Sequence, residues 1–472
     1  MEFLRWNLIS SFLLLCFPTL SLTSRLFSPV DNYLIDCGSA AVSTIDNRRF
    51  VGDLSGGNEL PLSFSGRWFS MRNENPVPGL APIYHTARIF RSPSKYAFPI
   101  RDKGTHMVRL HFNSFNSRGF DLGEAQFHVL VDQFVVLSNF SLVNSENPRI
   151  MEYLIRVDAE ELVIMLVPTE KSKIAFVNAI EVISAPKDLV PDTAQYVSSK
   201  NVVNFDGLSN QALEVVYRLN VGGPKVTPFN DSLWRTWMPD DKFYKPNPQS
   251  KRLYFGGRIK YQKGGVSREV GPDNMYNSAR LIKSMNASVP RINMTWQFPV
   301  TGGYKYLVRL HFCDIASISI GLLYFNVYVN GNLAFEDLDL SGITGLLASP
   351  FYADFVVDTD SFGALSVNVG PSNKSIPYVV DGILNGIEIM KLNDSRNSLD
   401  GEVCAGFVLK SWPRGNSGFF LTLLAAICIV LSISLVIRRR VLGLGDSFPW
   451  SRLPVDISDE HVKISGLPSQ SK

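Results

Sequence analysis

The string His106-Met-Val-Arg-Leu-His-Phe112 returns as Tyr306-Leu-Val-Arg-Leu-His-Phe312, 200 residues further along the chain. In both copies apolar and polar side chains alternate, which is the pattern of a β-strand with one buried face. Five consecutive identical residues, repeated among other matching blocks, do not arise by chance. We infer that one strand-containing unit occurs twice in the chain.

Four further blocks recur in the same order around these strands. Their period is far too long for a solenoid repeat and has the size of a whole domain. The sequence therefore predicts two homologous domains in tandem, residues 31–185 and 215–392, joined by a linker at 186–214. The recurring blocks are Tyr33-Leu-Ile-Asp-Cys-Gly38 with Tyr217-Arg-Leu-Asn-Val-Gly222, Tyr84-His-Thr-Ala-Arg88 with Tyr276-Asn-Ser-Ala-Arg280, Tyr96-Ala-Phe-Pro-Ile100 with Trp296-Gln-Phe-Pro-Val300, and Phe176-Val-Asn-Ala-Ile-Glu-Val182 with Leu384-Asn-Gly-Ile-Glu-Ile389.

Strand signals dominate the region between the two apolar ends of the chain. Phe325, Val327 and Val329 alternate with polar residues and lead into Asn330-Gly331, a pair typical of a type I′ hairpin turn. The region shows no long amphipathic helical pattern. Many short strands separated by Gly, Pro and Asn predict an all-β fold, an antiparallel sandwich or jelly roll.

Composition excludes several classes of protein. The chain has 472 residues, with 46 Lys and Arg against 43 Asp and Glu, and a formal net charge of +3. That near balance argues against a generally basic nucleic-acid-binding protein, so we expect no nucleic-acid partner. Hydrophobic residues make up 45% of the chain, which excludes a disordered protein.

The two apolar ends predict a membrane topology. Arg5 precedes a short apolar run and then small residues, which predicts a secretory signal peptide at residues 1–24. Residues 419–437 carry no charge and are followed directly by three arginines, which predicts one transmembrane helix with its C-terminal end in the cytoplasm. We therefore expect a single-pass type I protein with a juxtamembrane stalk at 393–418 and a cytoplasmic tail at 438–472.

Cysteines and glycosylation motifs agree with an extracellular location. Cys37, Cys313 and Cys404 fall in the predicted extracellular part, where three cysteines allow at most one internal disulfide and any pairing is open. Asn-x-Ser/Thr motifs mark potential N-glycosylation sites in surface loops. They occur at Asn139, Asn230, Asn286, Asn293, Asn373 and Asn393.

The repeated blocks, together with Pro228-Phe-Asn-Asp-Ser-Leu-Trp-Arg-Thr-Trp237, resemble the ectodomain of the plant malectin-like receptor kinases of the FERONIA type. The resemblance covers about residues 30–392. It implies two tandem malectin-like β-sandwich (jelly-roll-like) domains followed by one transmembrane helix, at the plasma membrane. It also implies a role in cell-wall signalling, with a cell-wall polysaccharide or a rapid alkalinization factor-type peptide as ligand. The implied partners are a GPI-anchored co-receptor of the lorelei-like type and full-length receptor kinases.

Members of this family continue inside the cell with a Ser/Thr kinase domain. The residues from Arg438 to Lys472 contain no Gly-rich loop and no kinase catalytic motif, so we expect no enzymatic activity from this chain and no cofactor. The leading hypothesis is a receptor-like protein that binds its ligand and signals through partner receptors. The alternatives are a kinase-less decoy or dominant-negative subunit, and the truncated product of a full receptor kinase gene. A sugar hydrolase, the third class of function, has no supporting motif.

Aromatic side chains are the candidate ligand-binding residues, because sugar rings stack on aromatic faces. Packing inside a sandwich core is the competing explanation for each of them. The candidates are Trp68 and Tyr84 in the first domain and Tyr244, Tyr254, Tyr261 and Tyr276 in the second. The basic stretch within residues 240–270 is either a solvated loop or a surface that attracts an acidic polymer such as demethylated pectin. Its cations are Lys242, Lys245, Lys251, Arg252, Arg258, Lys260, Lys263 and Arg268.

Two histidines, His111 and His311, occupy matching places in the repeat. They lack the regularly spaced second ligand of a metal site, so we predict structural roles near the sheet surface and no bound metal. The matching arginines, Arg109 and Arg309, would need carboxylate partners if they are buried. The candidate partners are Glu181 and Glu388, which lie in matching strands at the end of each unit.

Overall fold

The structure is a computed structural model that describes residues 27–55, 63–117, 119–142, 147–283, 292–376, 379–411 and 417–441. The chain divides into two units, Met1–Trp412 and Pro413–Lys472. The predicted signal peptide 1–24 and the tail beyond residue 441 lie outside the described residues. Within them the chain is mostly β, as the sequence predicts.

Sixteen strands belong to the first half of the repeat. They are β1 (Asn32–Asp36), β2 (Val42–Ile45), β3 (Arg48–Gly52), β4 (Ser63–Ser65), β5 (Trp68–Arg72), β6 (Thr86–Phe90), β7 (Ser94–Pro99), β8 (Gly104–Phe112), β9 (Asn116–Ser117), β10 (Phe120–Asp121), β11 (Phe127–Val131), β12 (Phe134–Phe140), β13 (Arg149–Val157), β14 (Glu161–Pro168), β15 (Ala175–Val177) and β16 (Ala179–Ser184).

The remaining strands and the helices follow in chain order. The strands are β17 (Thr193–Val197), β18 (Val202–Asp206), β19 (Leu213–Asn220), β20 (Met238–Pro239), β21 (Tyr244–Lys245), β22 (Ser250–Tyr254), β23 (Ser278–Lys283), β24 (Met294–Pro299), β25 (Lys305–Cys313), β26 (Phe325–Val329), β27 (Asn332–Leu338), β28 (Pro350–Asp358), β29 (Ala364–Pro371), β30 (Val380–Leu384) and β31 (Gly386–Leu392). The helices are α1 (Asp273–Tyr276), α2 (Leu340–Thr344), α3 (Ala405–Ser411) and α4 (Ser417–Val441).

One 13-stranded sheet runs through both halves. Its order is β18-β17-β28-β25-β31-β19-β13-β8-β16-β1-β3-β2, and β20 pairs with β19. The first half contributes β1-β16-β8-β13 and the second contributes β19-β31-β25-β28, which are equivalent strands in the same order. The halves therefore join head to tail, where β19 pairs with β13 through Tyr153–Glu214 and Leu154–Leu213.

Smaller sheets form the second layer of each half. A five-stranded sheet, β12-β11-β14-β7-β4, belongs to the first half, and β21-β24-β29-β26-β27 belongs to the second. Val108 and Phe112 of β8 share one buried apolar cluster with Phe127 and Val129 of β11, so each half buries its core between facing sheets. Three-stranded sheets, β15-β6-β5 and β22-β23-β30, flank these layers, and β9 pairs with β10.

The segment predicted as a linker, 186–214, carries the hairpin β17–β18. Strand β17 pairs in parallel with β28 through Gln195–Phe355 and Tyr196–Val356. The hairpin thus covers the edge of β28 in the second half, much as β19 covers the edge of β13 in the first. An exposed sheet edge invites unwanted pairing, and each half has its own cover for that edge.

Most of the segment predicted as a juxtamembrane stalk packs against the first half. We call residues 393–411 the C-terminal strap. The backbone N–H of Leu399 donates to the carbonyl of Val135 at 2.8 Å, and the N–H of Ser138 donates to the Asp400 carboxylate at 2.7 Å. Val408 of α3 is buried in a cluster with Leu130, Val135 and Val167.

Helix α4 contains the predicted membrane span 419–437. Across the described part of the chain, no helix has both the length and the apolar character needed to cross a membrane, and the span stays a prediction. Among the same residues Cys37 and Cys313 are buried, Cys404 is exposed, and none forms a disulfide.

The predicted glycosylation sites divide by exposure. Asn139, Asn230 and Asn373 are exposed, whereas Asn293 and Asn393 are half-buried. The Asn393 side chain accepts a hydrogen bond from the N–H of Ala212 at 2.8 Å. Asn286 lies outside the described residues, and glycosylation at all six positions stays a prediction.

Candidate functional site

A Tyr–His–Glu hydrogen-bonded triad lies in the first half. The Tyr84 hydroxyl is 2.9 Å from Nδ1 of His111, and Nε2 of the same ring is 2.9 Å from Oε1 of Glu181. Because an ionised carboxylate only accepts, Nε2–H donates to Glu181, and Tyr84 is placed to donate to Nδ1. All three side chains are buried, so the triad fixes the orientation of the histidine ring.

The second half repeats this triad with equivalent residues. The Tyr276 hydroxyl is 3.0 Å from Nδ1 of His311, and Nε2 of His311 is 3.1 Å from Oε2 of Glu388. His311 is fully buried, and this burial lowers the pKa of its imidazole. The prediction that the histidines are structural agrees with this geometry, but they do not lie near the surface.

Charged side chains join the two triads across the junction of the halves. Arg109 donates to Glu181 at 3.0 Å and to Glu152 at 2.7 Å. Arg218 of the second half donates to Glu152 at 2.6 Å and to Glu388 at 2.7 Å. The result is a continuous chain of largely buried polar contacts from Tyr84 to Tyr276, which we call the junction relay.

The electrostatics of the relay favour ionised carboxylates. Burial alone would raise the pKa of Glu181, but the nearby positive charges of Arg109 and Arg48, with a hydrogen bond from His111, hold it well below its ordinary value. Burial likewise opposes the ionised form of Glu152, yet Arg218 and Arg109 lower its pKa to about 2. A buried ion network of this kind favours one relative arrangement of its parts, since removing one partner leaves an uncompensated charge.

The partners predicted for the repeated arginines are half correct. Arg109 pairs with Glu181, as expected. Arg309 pairs instead with Asp354, through two contacts of 2.7 Å, and also donates to the carbonyl of Leu189. The expectation that Glu388 pairs with Arg309 is wrong. Glu388 and Asp354 both lie opposite Arg309, in the ladders on either side of β25. Arg309 donates to Asp354, whereas Glu388 accepts from Arg218.

Two clefts lie in matching places of the two halves, one over β13 and one over β28. The junction cleft, of about 360 Å³, lies between the halves, and Arg109, Glu152 and Arg218 line it together with Trp234. Trp234 has a left-handed backbone with φ of 54° and lies over the Arg48 guanidinium at 5.2 Å. The floor of this cleft is thus occupied by groups that already satisfy one another.

The hairpin cleft, of about 810 Å³, is the larger of the two and belongs to the second half. A volume of roughly 300–1,000 Å³ is usual for a ligand pocket. Four segments build its walls: the hairpin β17–β18, the loop 262–266, strand β28 and the region of α2. Its lining includes Asp188, Thr193, Gln195, Asn204, Lys263, Gly264, Gly265, Phe335, Ile343, Thr344, Tyr352 and Asp354.

The charges of the hairpin cleft are partly satisfied from within. Both carboxylate oxygens of Asp354 accept from Arg309, and a carboxylate oxygen of Asp188 accepts from the N–H of Ser267 at 3.2 Å. Lys263 has no ion-pair partner among the described residues. A ligand in this cleft therefore meets a mixed apolar and hydrogen-bonding surface with one available cation.

The six predicted aromatic residues do not form one site. Tyr84 and Tyr276 are buried and hydrogen-bond to the histidines, although Tyr84 also lines the junction cleft. Trp68 and Tyr244 lie over the matching arginines Arg88 and Arg280, each 4.0 Å from guanidinium carbon to ring centre.

The other two aromatic candidates differ in accessibility. Tyr261 is half-buried, and its hydroxyl donates to Asp273 at 2.7 Å. Tyr254, 72% exposed, has the most accessible ring of the six. None of these six residues lines the hairpin cleft, which sequence reasoning did not locate. Its walls come from four separated segments, and only their packing brings them together.

The chain matches known proteins along most of its length. The family model described as Malectin-like domain matches residues 35–392. Among Arabidopsis thaliana proteins, the probable receptor-like protein kinase At5g24010 is 42% identical over 391 residues, 82% of this chain and 47% of the relative. Receptor-like protein kinase THESEUS 1 is 38% identical over 423 residues, 89% of this chain and 48% of the relative. The chain thus spans about half the length of these relatives.

Solved structures share the fold as well. The ANXUR1 extracellular domain from Arabidopsis thaliana aligns with a TM-score of 0.70 and 28% identity, covering 79% of this chain and 99% of that one. A structure of the plant peptide RALF23 in complex with FER and LLG2 aligns with a TM-score of 0.68 and 30% identity, covering 80% of this chain and 99% of that one. The chain belongs to the malectin-like family and is homologous to the malectin-like receptor-like kinases of Arabidopsis.

Proposed function

We propose that this chain is a cell-surface receptor-like protein whose hairpin cleft binds a secreted peptide of the rapid alkalinization factor type. The observation that carries the proposal is the cleft itself, about 810 Å³ in volume and walled by four chain segments. Support comes from the homologous FER structure, which is a complex with the plant peptide RALF23 and LLG2. We further propose that the chain signals through partner receptors, which the FER complex with LLG2 supports.

The cleft has the physical features that a peptide needs. Gly264 and Gly265 leave two positions of the loop 262–266 without side chains, so a ligand can approach the backbone closely there. Thr193, Gln195 and Asn204 present hydrogen-bonding side chains from the opposite hairpin, and Tyr352 adds an aromatic surface. A few polar groups in a largely formed pocket are the usual basis of specific recognition.

Location and partners complete the proposal. We place the ectodomain outside the plasma membrane in a single-pass type I arrangement, with a GPI-anchored co-receptor of the lorelei-like type and full-length receptor kinases as partners. The homologous receptor-like kinases and the FER–LLG2 complex support this arrangement. In the decoy alternative, the chain sequesters ligand without such partners. Co-immunoprecipitation with a kinase-bearing relative distinguishes the two, because only the signalling role requires stable association.

A bulky side chain introduced into the hairpin cleft tests whether the peptide binds there. At Gly265 an added Cβ meets nothing closer than 3.5 Å, so Gly265→Trp can place an indole in the cleft without a backbone clash. Gly256→Trp is the matched control, because Gly256 lies in the same basic stretch, outside the cleft, with open space around it. Calorimetric titration of the full chain with alkalinization-factor peptides should show binding that Gly265→Trp abolishes and Gly256→Trp retains. No binding by folded wild-type protein would refute the proposed function.

A second candidate ligand is an acidic wall polysaccharide such as demethylated pectin. Six cations of the basic stretch have no carboxylate partner among the described residues: Lys242, Lys245, Lys251, Arg258, Lys260 and Lys263. By contrast Arg252 pairs with Asp241, and Arg268 lies 3.5 Å from Asp273. Binding of pectin fragments should weaken steeply with salt and on reversal of Lys245 and Lys251 to Glu. Salt-independent binding, or none, would count against this ligand.

A further inference from the structure

Two neighbouring loops of the second half expose large aliphatic side chains. Ile318 and Ile320 lie between β25 and β26, with 93% and 58% of their surface exposed. Ile343 and Leu346 lie between β27 and β28 and are 48% and 42% exposed. We call these four residues the loop patch.

Backbone contacts hold the two loops side by side. The N–H of Gly321 donates to the Ser341 hydroxyl at 2.7 Å, and the N–H of Ala348 donates to the carbonyl of Asp314 at 2.9 Å. Both ends of the loop that carries Ile318 and Ile320 are therefore tied to the other loop. The four exposed aliphatic residues thus lie on two loops that adjoin each other at the surface.

The sequence of these loops is unusual for a solvated surface. Residues 315–323 and 340–349 contain no charged side chain. The carboxylates that flank them, Asp314 and Asp339, are used within the loops, where they accept from the N–H groups of Ser317 and Gly342. Exposed apolar patches of this kind mark interaction sites.

The loop patch continues the hairpin cleft. Ile343 and Thr344 line the cleft, and Ile343 also belongs to the patch. A ligand that leaves the cleft past α2 thus meets aliphatic surface without crossing a charged rim. This continuity favours one ligand for both surfaces over a separate partner for the patch.

We propose that the peptide in the hairpin cleft extends over α2 and binds the loop patch through an apolar face of its own. The ligand is therefore an amphipathic peptide, longer than the cleft. This inference rests on the proposed function and adds the class of peptide. Apolar burial at the patch contributes affinity, while the polar groups of the cleft orient the ligand.

The test compares apolar-to-polar variants of the full chain in titrations with RALF23 and other alkalinization-factor peptides. The double variant Ile318→Ser/Ile320→Ser removes aliphatic surface from the patch without touching the cleft lining. Val77→Ser is the matched control, since Val77 is 65% exposed in a loop of the first half. We expect the double variant to raise Kd at least tenfold and the control to leave it unchanged.

The outcomes separate this inference from the proposed function. One outcome is that wild-type protein binds, Gly265→Trp abolishes binding, and the double variant keeps the wild-type Kd. Peptide binding in the hairpin cleft is then supported, and the inference about the loop patch is overturned. If no peptide binds folded wild-type protein, both are overturned. Sedimentation of the chain without peptide measures its oligomeric state, which provides the third outcome. A dimer that the double variant dissociates would assign the patch to a second copy and overturn the inference.

Discussion

Glu152 of the first half and Arg218 of the second form a largely buried ion pair, with side chains 11% and 7% exposed and 2.6 Å between Oε1 and Nη2. The pair lies where β13 and β19 share only two residue pairs. The junction therefore depends on the relay and on an apolar cluster that includes Leu154, Leu213 and Met390. Each carboxylate of the relay has two or more charged or hydrogen-bonding partners, so the two halves are held in one arrangement.

Replacing Arg218 tests how much the ion pairs at this junction contribute to stability. Arg218→Met keeps much of the aliphatic volume but leaves Glu152 and Glu388 each short of one cation. We expect the free energy of unfolding to fall by about 3–5 kcal/mol, the usual cost of breaking a buried pair from one side. Chemical denaturation of the ectodomain measures it.

The control for Arg218→Met is an exposed pair with similar geometry. Lys305 lies 2.6 Å from Asp358, with side chains 44% and 56% exposed. Lys305→Met should cost no more than about 1 kcal/mol, because exposed ion pairs contribute little. Equal effects of the two variants would show that the relay does not stabilise the junction.

Acid should weaken the relay. The pKa of Glu152 is about 2 in the folded protein against 4.5 for the free side chain, because two arginines outweigh the effect of burial. A lowered pKa gives stability that is present above about pH 4.5 and is lost as the pH falls towards 2. A difference of this size corresponds to about 3 kcal/mol.

Denaturation at several pH values checks this dependence. The destabilisation caused by Arg218→Met should be largest at neutral pH and should shrink below about pH 4.5, since a protonated carboxyl no longer requires the arginine. A destabilisation that stays constant across this range would mean that Arg218 acts through packing alone.

The repeat made much of the fold predictable from the sequence. Val108 and Phe112 alternate with polar residues, and the structure buries both in the core of the first half. The alternation did not reveal that the opposite face is buried too. Arg109 and His111 are only 4% exposed, because Tyr84 and the segment around Leu233 cover them.

The ion pairs between strands were harder to predict from the sequence. Each repeated arginine has two acids opposite it, one in each neighbouring ladder. They are Glu152 and Glu181 for Arg109, and Asp354 and Glu388 for Arg309. Strand pairing is a long-range property, and the two copies use different acids at this place. The hairpin cleft could not be predicted either, because its walls meet only after the segment 186–214 folds onto β28.

Two matching glycines should be intolerant of any side chain. Gly38 and Gly222 have φ values of +77° and +72°, and an added Cβ would lie 2.3 Å from the carbonyl oxygens of Ala87 and Ala279. Gly264 has φ of +82° with open space around it. Gly264→Ala should cost only the backbone strain, about 1–2 kcal/mol, whereas Gly38→Ala and Gly222→Ala should cost more.

Thermal unfolding of the three glycine variants separates backbone strain from steric overlap. The difference between Gly264→Ala and the other two isolates the overlap with the carbonyls. If all three variants unfold at the same temperature, the steric overlap at Gly38 and Gly222 adds nothing to the destabilisation. A lower unfolding temperature for the two matching sites, by a similar amount, would show that both copies of the repeat need this contact.

The C-terminal strap should stabilise the half from which it is most distant in sequence. Ending the chain after Leu392 removes no strand of the second half, but it uncovers Leu130, Val135 and Val167 and leaves the N–H of Ser138 without the Asp400 carboxylate. Buried apolar surface stabilises by roughly 25 cal/mol per Å², so the first half should lose several kcal/mol. Hydrogen exchange along β12 measures this loss. A chain that ends after Ser411 is the control. Equal protection of β12 in both chains would show that the strap does not stabilise the first half.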